Sequence, residues 1–246
     1  MVYYSQSESL TAHDLVAWAL ETYGDRFAIA CSFQREAMTI IDMAWRMDRR
    51  VRVFTLDTGR LPAETYEMMD TLHQRYGVCV ERVQPDPSEV AAMVSQNGTD
   101  LFRDSVELRH LCCTIRKVRP LERKLAELGA WAAGLRREQS AERASIAKVE
   151  RGDSIVKIHP LADWTSAEVD QYIQDHDVPL HPLYARGFAS IGCEPCTRAL
   201  KPGESGRDGR WWWENGARKE CGIHFAPEGQ IRRSAAGLIP LESGRP

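Results

Sequence analysis

Strand-like and helix-like segments alternate through the first half of the chain, and this alternation constrains the fold more than any other feature. "RFAIACS" (residues 26–32) and "VRVFTLD" (residues 51–57) are short apolar runs of the buried-strand type. "REAMTIIDMAWRM" between them carries apolar residues at helical spacing. So does "TAHDLVAWALETY" before them, where Thr11 stands as N-cap. The next helix has Pro62 near its first position and Gly77 at its end. "VCVERV" (residues 78–83) reads as a third strand and "AWAAGL" (residues 130–135) as a fourth. Further on, Thr165 and Glu168 form a capping box before "VDQYIQDH". Such alternation predicts an α/β fold, a Rossmann-like parallel sheet wrapped by helices, with ligands at the carboxyl ends of its strands.

The rest of the chain divides by composition. Residues 1–200 are read as one α/β domain. Residues 201–246 are read as a mobile C-terminal segment that opens with the Gly- and charge-rich loop "KPGESGRDGR" (residues 201–210) and includes an extra tail. With 43% hydrophobic residues, 27% charged residues and a net charge of −3, there is no single-sign field for nonspecific nucleic-acid or membrane binding. "MVYYSQSESL" lacks the basic-then-apolar pattern of a signal peptide, and no apolar run is long enough to span a bilayer. A cytoplasmic location is expected. Oligomeric state is not readable, and a homo-oligomer stays open.

Seven cysteines cannot all pair, which in a reducing compartment points to metal ligands, catalysts or core residues. Cys31 and Cys79 lie inside apolar strand patterns and are expected to be small buried hydrophobes. Cys112 and Cys113 are adjacent, and Cys193 and Cys196 form a C-x-x-C. Together these four supply enough thiolates for zinc or an iron–sulfur cluster. Neighbours on a helix project about 100° apart, so both are hard to aim at one ion. A four-iron cluster offers separate corners. Geometry leans that way, with zinc and a vicinal disulfide still open. Cys221 sits in a polar setting between Lys219 and His224, where nearby cations favour the thiolate that a nucleophile needs.

Three segments are placed to bind an anion or a nucleotide. "ACSFQREAM" (residues 30–38) joins a strand to a helix N-terminus without the glycines of a triphosphate loop. "FTLDTGRLP" ends a strand with Asp57 and Thr58, which could hydrogen-bond a ribose or base edge. "AGLRREQSAER" (residues 133–143) gathers Arg136, Arg137 and Arg143 with Gln139 and Ser140; it suits a compact polyanion, or is a solvated loop neutralised by Glu138 and Glu142.

From about residue 28 to residue 224 these motifs, in this order, resemble the cluster-containing, thioredoxin-dependent adenylyl-sulfate reductases of the phosphoadenylyl-sulfate and adenylyl-sulfate reductase family. "SFQRE" (Ser32, Phe33, Gln34 and Glu36 as contacts) resembles the family's modified pyrophosphate loop. "LDTG" (Leu56, Asp57, Thr58, Gly59) resembles its nucleotide contact. "GLRREQS…R" (Gly134, Arg136, Arg137, Gln139, Ser140, Arg143) resembles its arginine loop. "CC" and "CEPC", with seventy-nine residues between Cys113 and Cys193, resemble its cluster signature. "GRWWWENGARKECGIH" resembles the segment that ends in the nucleophile.

The resemblance implies a fold of the adenine-nucleotide α-hydrolase (PP-loop) type and one [4Fe-4S] cluster on Cys112, Cys113, Cys193 and Cys196. It implies Cys221 as nucleophile with Lys117 and His224 as catalytic partners, and Arg207 and Arg210 as further basic contacts. Lys117 would link cluster to sulfate. Thioredoxin or glutaredoxin would be the electron donor. Phosphoadenylyl sulfate is the alternative substrate. A zinc-containing ATP pyrophosphatase of the same fold is opposed by the missing glycine run, and a nucleic-acid-binding zinc module by the net charge. One departure is the continuation past "CGIH" through residues 225–246, where the family's chains commonly stop.

Overall fold

The computed structural model describes residues 4–140, 143–152, 154–214, 224–225 and 231–232. In chain order these form α1 (Ala12–Tyr23), β1 (Phe27–Ala30), α2 (Arg35–Met47), β2 (Val53–Leu56), α3 (Ala63–Tyr76), β3 (Glu81–Val83), α4 (Pro87–Asn97), α5 (Val106–Cys113), α6 (Arg119–Leu125), β4 (Ala130–Ala132), β5 (Val149–Arg151), β6 (Val156–Ile158) and α7 (Ser166–His176). A two-residue pair, β7 (His224–Phe225) and β8 (Ile231–Arg232), follows.

Local chemistry sets the helix ends. Thr11 caps α1 through the Asp14 amide, and the Asp14 carboxylate returns the bond to Thr11. Gly77 ends α3 in the left-handed region at φ 68°, its N–H donating to the His73 carbonyl. Thr165 and Glu168 close the expected capping box on α7, with bonds of 3.2 and 2.7 Å.

The sheet runs β3-β2-β1-β4-β6-β5, parallel throughout except that β5 is antiparallel to β6. Successive residues alternate between its faces. Ile29, Val53 and Ile158 pack with α1, α2, α3 and α7 on one face. Ala28, Phe54 and Trp131 pack with Leu121 and Leu125 of α6 on the other. From β1 the chain winds outward to β2 and β3, then returns through α4, α5 and α6 to β4 on the opposite side of β1. The strand order therefore reverses between β1 and β4, which opens a crevice at their carboxyl ends.

Two expectations need correction. The third strand spans three residues rather than six, and Cys79 precedes it on the surface rather than in the core, 3.6 Å from His73 Nδ1. β3 is an edge strand paired only with β2, and Val78 and Val80 pack on the core on either side of Cys79, which leaves its side chain facing outward. Residues 201–214, the start of the C-terminal segment, pack against the body. Arg198 pairs with Glu204, Arg210 bridges to Thr197, Arg109 pairs with Glu214, and Trp211 is 1% exposed.

Candidate active site

The first wall of the crevice is the turn from β1 to α2. Phe33, fully buried, adopts φ 56°, a left-handed conformation a bulky residue holds only under constraint. It turns the chain so that α2 begins over the strand end. Gln34 takes the N-cap position, but its side chain accepts from the Ile191 amide at 3.1 Å instead of capping. Tyr184 Oη accepts from the Arg35 amide at 3.3 Å, and burial pushes the Tyr184 hydroxyl up to about 12.

The loop after β4 packs onto this turn. A Cβ at Gly134 would lie 2.6 Å from Glu36 Cβ, so only glycine allows the approach. Glu36 Oε1 accepts from Arg136 Nε and Gln139 Nε2, each at 3.0 Å. Arg136 commits its remaining nitrogens to Glu138, the Trp164 carbonyl and Ser166. Gln139 also accepts from Arg143.

The turn, this loop, Leu56 and the loop 184–192 enclose a cavity of about 990 Å³, which is large enough for a nucleotide. Ser32, Phe33, Gln34, Glu36, Gly134, Arg136, Gln139 and Arg143 line it, as do Lys117, Arg207 and Arg210 from other elements.

The second feature lies beside that cavity. Cys112 and Cys113 end α5, and a π-helical turn, Thr114–Val118, follows at once. Its i→i+5 spacing carries Lys117 back toward the cysteine pair. Cys193 and Cys196 form a short turn, with the Cys196 amide donating to the Cys193 carbonyl at 3.0 Å. All four cysteines border one small cavity together with Arg60, Arg109, Arg116, Lys117 and Trp211. Burial pushes the Cys112 thiol up, although Arg116 and Lys117 oppose it, and pushes Cys196 to about 12. Thr58 Oγ1 lies 3.2 Å from Cys193 Sγ.

These residues fit a sulfur-bound anionic group. The four thiols supply its ligand set, the surrounding cations offset its charge, and the buried Nε1–H of Trp211 lacks a hydrogen-bond partner among the described residues. No three His, Cys, Asp or Glu side chains among the described residues are grouped as ligands of a single metal ion.

Lys117 is the side chain that both cavities share. Arg210 approaches from the far side, 3% exposed, with Nη1 near Ser190 Oγ and the Ile191 carbonyl. The Arg210 guanidinium occupies the space that a Cβ on Gly192 would take. It also lies 4.7 Å from the Trp211 ring, with Arg109 at 4.5 Å and Arg207 at 5.7 Å.

Residues 26–199 match the phosphoadenosine phosphosulfate reductase domain family. The chain belongs to that family. Two of its curated relatives, both named adenosine 5'-phosphosulfate reductase, come from Burkholderia cepacia (48% identical, 82% of this chain and 81% of the relative) and Allochromatium vinosum (47%, 82% and 81%). The fold is that of a solved phosphoadenylyl-sulfate reductase from Candida auris in a phosphate complex. That match has TM-score 0.66 and 23% identity, and covers 78% of this chain and 92% of that one. Yeast FAD synthetase is a more distant neighbour, with TM-score 0.52 and 14% identity over 76% and 66%.

Not every residue of the family-like motifs faces the large cavity. In "LDTG" only Leu56 lines it. Asp57 is fully buried and accepts from Arg82, Tyr66, Gln84 and the Gly59 amide. Burial alone would raise that carboxyl; these donors outweigh it and hold it below the usual range. Thr58 points to Cys193, and its carbonyl accepts from Arg116 Nη1 at 2.7 Å. Gly59 makes the turn, at φ 70°, from which Arg60 accepts the Glu194 amide through its carbonyl. The motif clamps the C-x-x-C turn.

Arg137 is turned away toward the Ile146 carbonyl and Glu8, and Ser140 lies outside the cavity lining. Cys221 falls outside the described residues, and His224 is described only as backbone of β7. Arg60, Arg109 and Arg116 were not singled out from the sequence. The density of basic residues around "CC" was the available signal.

Proposed function

We propose that this chain reduces adenylyl sulfate to sulfite and AMP in assimilatory sulfate reduction, in the cytoplasm, with thioredoxin or glutaredoxin as electron donor. The observation that carries the reading is the position of Lys117, shared between a nucleotide-sized cavity and a four-cysteine cavity. The family membership and the names of the curated relatives support it.

In this reading α2's N-terminal turn and Leu56 receive the nucleoside, while Lys117, Arg143, Arg207 and Arg210 surround the phosphosulfate. A thiolate attacking a sulfate meets like charge, and those cations lower that repulsion. Cys221 Sγ forms a bond to the sulfate sulfur, the bridging S–O bond breaks, and AMP leaves with the electron pair. The product on the enzyme is an S-sulfocysteine. A thioredoxin thiolate then attacks Cys221 Sγ and displaces sulfite, and its second thiol resolves the mixed disulfide, supplying two electrons in all. His224 lies near Cys221 in sequence as a further cationic partner.

A [4Fe-4S] cluster on Cys112, Cys113, Cys193 and Cys196, when bound, supplies local charge and a structural anchor rather than electrons. Cys112, Cys193 and Cys196 are held rigidly for this by α5, Thr58 and the turn at Glu194.

The experiment is sulfite release from adenylyl sulfate and from phosphoadenylyl sulfate, with thioredoxin and its reductant, on protein carrying about four irons per chain. Faster release from adenylyl sulfate is expected. No release, or release from phosphoadenylyl sulfate alone, would overturn the reading.

A further inference from the structure

Tyr184 stands on a short helical turn, Pro182–Arg186, that local bonds hold in place. His181 Nδ1 accepts from the Leu183 amide at 3.3 Å, and Arg186 pairs with Glu64 of α3. The Gly187 amide, at φ 82°, donates to the Tyr184 carbonyl at 3.0 Å. From this turn the tyrosine lines the large cavity beside Gln34, Arg35 and Phe188, against the start of α2.

Its hydroxyl is used only in part within the protein. Oη accepts from the Arg35 amide, the first of α2, at 3.3 Å, which occupies a lone pair and leaves the proton to be placed. Among the described residues no acceptor takes that O–H. Burial pushes the hydroxyl up to about 12, so it keeps its proton at neutral pH. The ring is steadied by the Arg35 guanidinium, 4.7 Å from its centroid. The Arg35 amide accounts for the oxygen. Nothing among the described residues accounts for the donor.

The charges nearby decide what kind of group can meet it. Arg35 Nη1 donates to both oxygens of Asp170, at 2.9 and 3.2 Å. Glu36 and Asp170 both act on the hydroxyl to hold its proton, and Arg35 acts against them. A phosphate at this end would face two carboxylates and a guanidinium that already has a partner. The cations suited to a phosphosulfate lie toward the cysteine cavity, which Lys117 borders and where Arg207 and Arg210 stack on Trp211. Tyr184 does not border that cavity. Its end of the site suits a neutral group rich in oxygen, and in a nucleotide that group is the ribose.

We propose that Tyr184 binds the substrate's ribose, its O–H donating to a ribose hydroxyl oxygen, and so sets the nucleoside against the start of α2. The inference rests on the adenylyl-sulfate reading above. Tyr184 is a binding residue and takes no part in making or breaking bonds. Replacing it by phenylalanine removes the donor and leaves the cations around the phosphosulfate in place.

The test is calorimetric binding of adenosine, 2′-deoxyadenosine, 3′-deoxyadenosine and AMP to the iron-loaded enzyme, as wild type and as Tyr184→Phe. Loss of one neutral hydrogen bond should weaken adenosine roughly threefold to tenfold. AMP should weaken by the same factor, because its phosphate lies elsewhere. At least one deoxynucleoside, lacking the hydroxyl that Tyr184 meets, should bind wild type and variant within about twofold of each other.

Unchanged adenosine affinity in Tyr184→Phe would overturn the proposal. So would an equal loss for all four ligands, the mark of a structural role exerted through the Arg35 amide. A loss confined to AMP would place the hydroxyl on the phosphate and overturn it as well. Wild-type protein that binds neither adenosine nor AMP would instead overturn the adenylyl-sulfate reading on which the proposal rests.

Discussion

On one side of the large cavity, Glu36, Arg136, Gln139 and Glu138 satisfy one another, and Arg136 reaches on to Trp164 and Ser166. On the other side, buried thiols of Cys112, Cys193 and Cys196 lie among Arg60, Arg109, Arg116 and Lys117, with no carboxylate among the described residues that line their cavity; Arg60 and Arg109 are paired behind it with Asp100 and Glu214. The first wall is complete within the chain, and its charges hold backbone in position. The second gathers three buried thiols and a buried indole N–H without a partner among the described residues. A buried polar group stays favourable only when something meets it. The difference marks which wall is scaffold and which wall awaits chemistry.

Substitutions should therefore fail differently on the two walls. The largest effect is expected for Cys193→Ala, which removes one of the four proposed cluster ligands from the second wall. The variant should retain little iron and no visible chromophore, and its melting temperature should fall by roughly 10 °C or more, as for loss of a structural metal centre. A full complement of iron in that variant would break the comparison.

Arg136→Ala strikes the first wall and leaves Glu36, which is 15% exposed, without its ion-pair partner and with only Gln139 donating to it among the described contacts. Breaking such a pair costs about 3 kcal/mol. Iron content should be unchanged while stability and nucleotide affinity both drop, as read by chemical denaturation and AMP titration. The smallest effect belongs to neither wall. Cys79→Ser, on the surface beside His73, should shift stability by less than about 0.5 kcal/mol and leave iron content intact.

Much of the scaffold wall was legible in the sequence, because its signals are local. Thr11, Gly77 and Thr165 announce helix ends through their own side chains or backbone freedom, and the apolar runs of β1 and β2 are short and unbroken. β6 was not singled out: "VKIHP" alternates apolar and polar residues over only four positions, the pattern of a strand with one face in water, whereas Lys157 and His159 are buried. α5, the π turn after it and α6 were hidden in the same way, since Arg109, Arg116 and Lys124 are buried on partners remote in sequence, namely Glu214, the Thr58 carbonyl and Glu81. That Cys112, Cys113, Cys193 and Cys196 come together was readable from identity and spacing, and all four border one cavity. The division of "LDTG" between a cavity contact and a clamp on Cys193 was not, because it depends on Arg82 and Gln84 claiming Asp57.

The most direct test of the central claim is intact-mass analysis with peptide mapping after the iron-loaded protein is incubated with adenylyl sulfate and thioredoxin is withheld. The account expects one added SO3 group, located on the peptide that contains Cys221. An unmodified Cys221 peptide in folded, iron-loaded protein would contradict it.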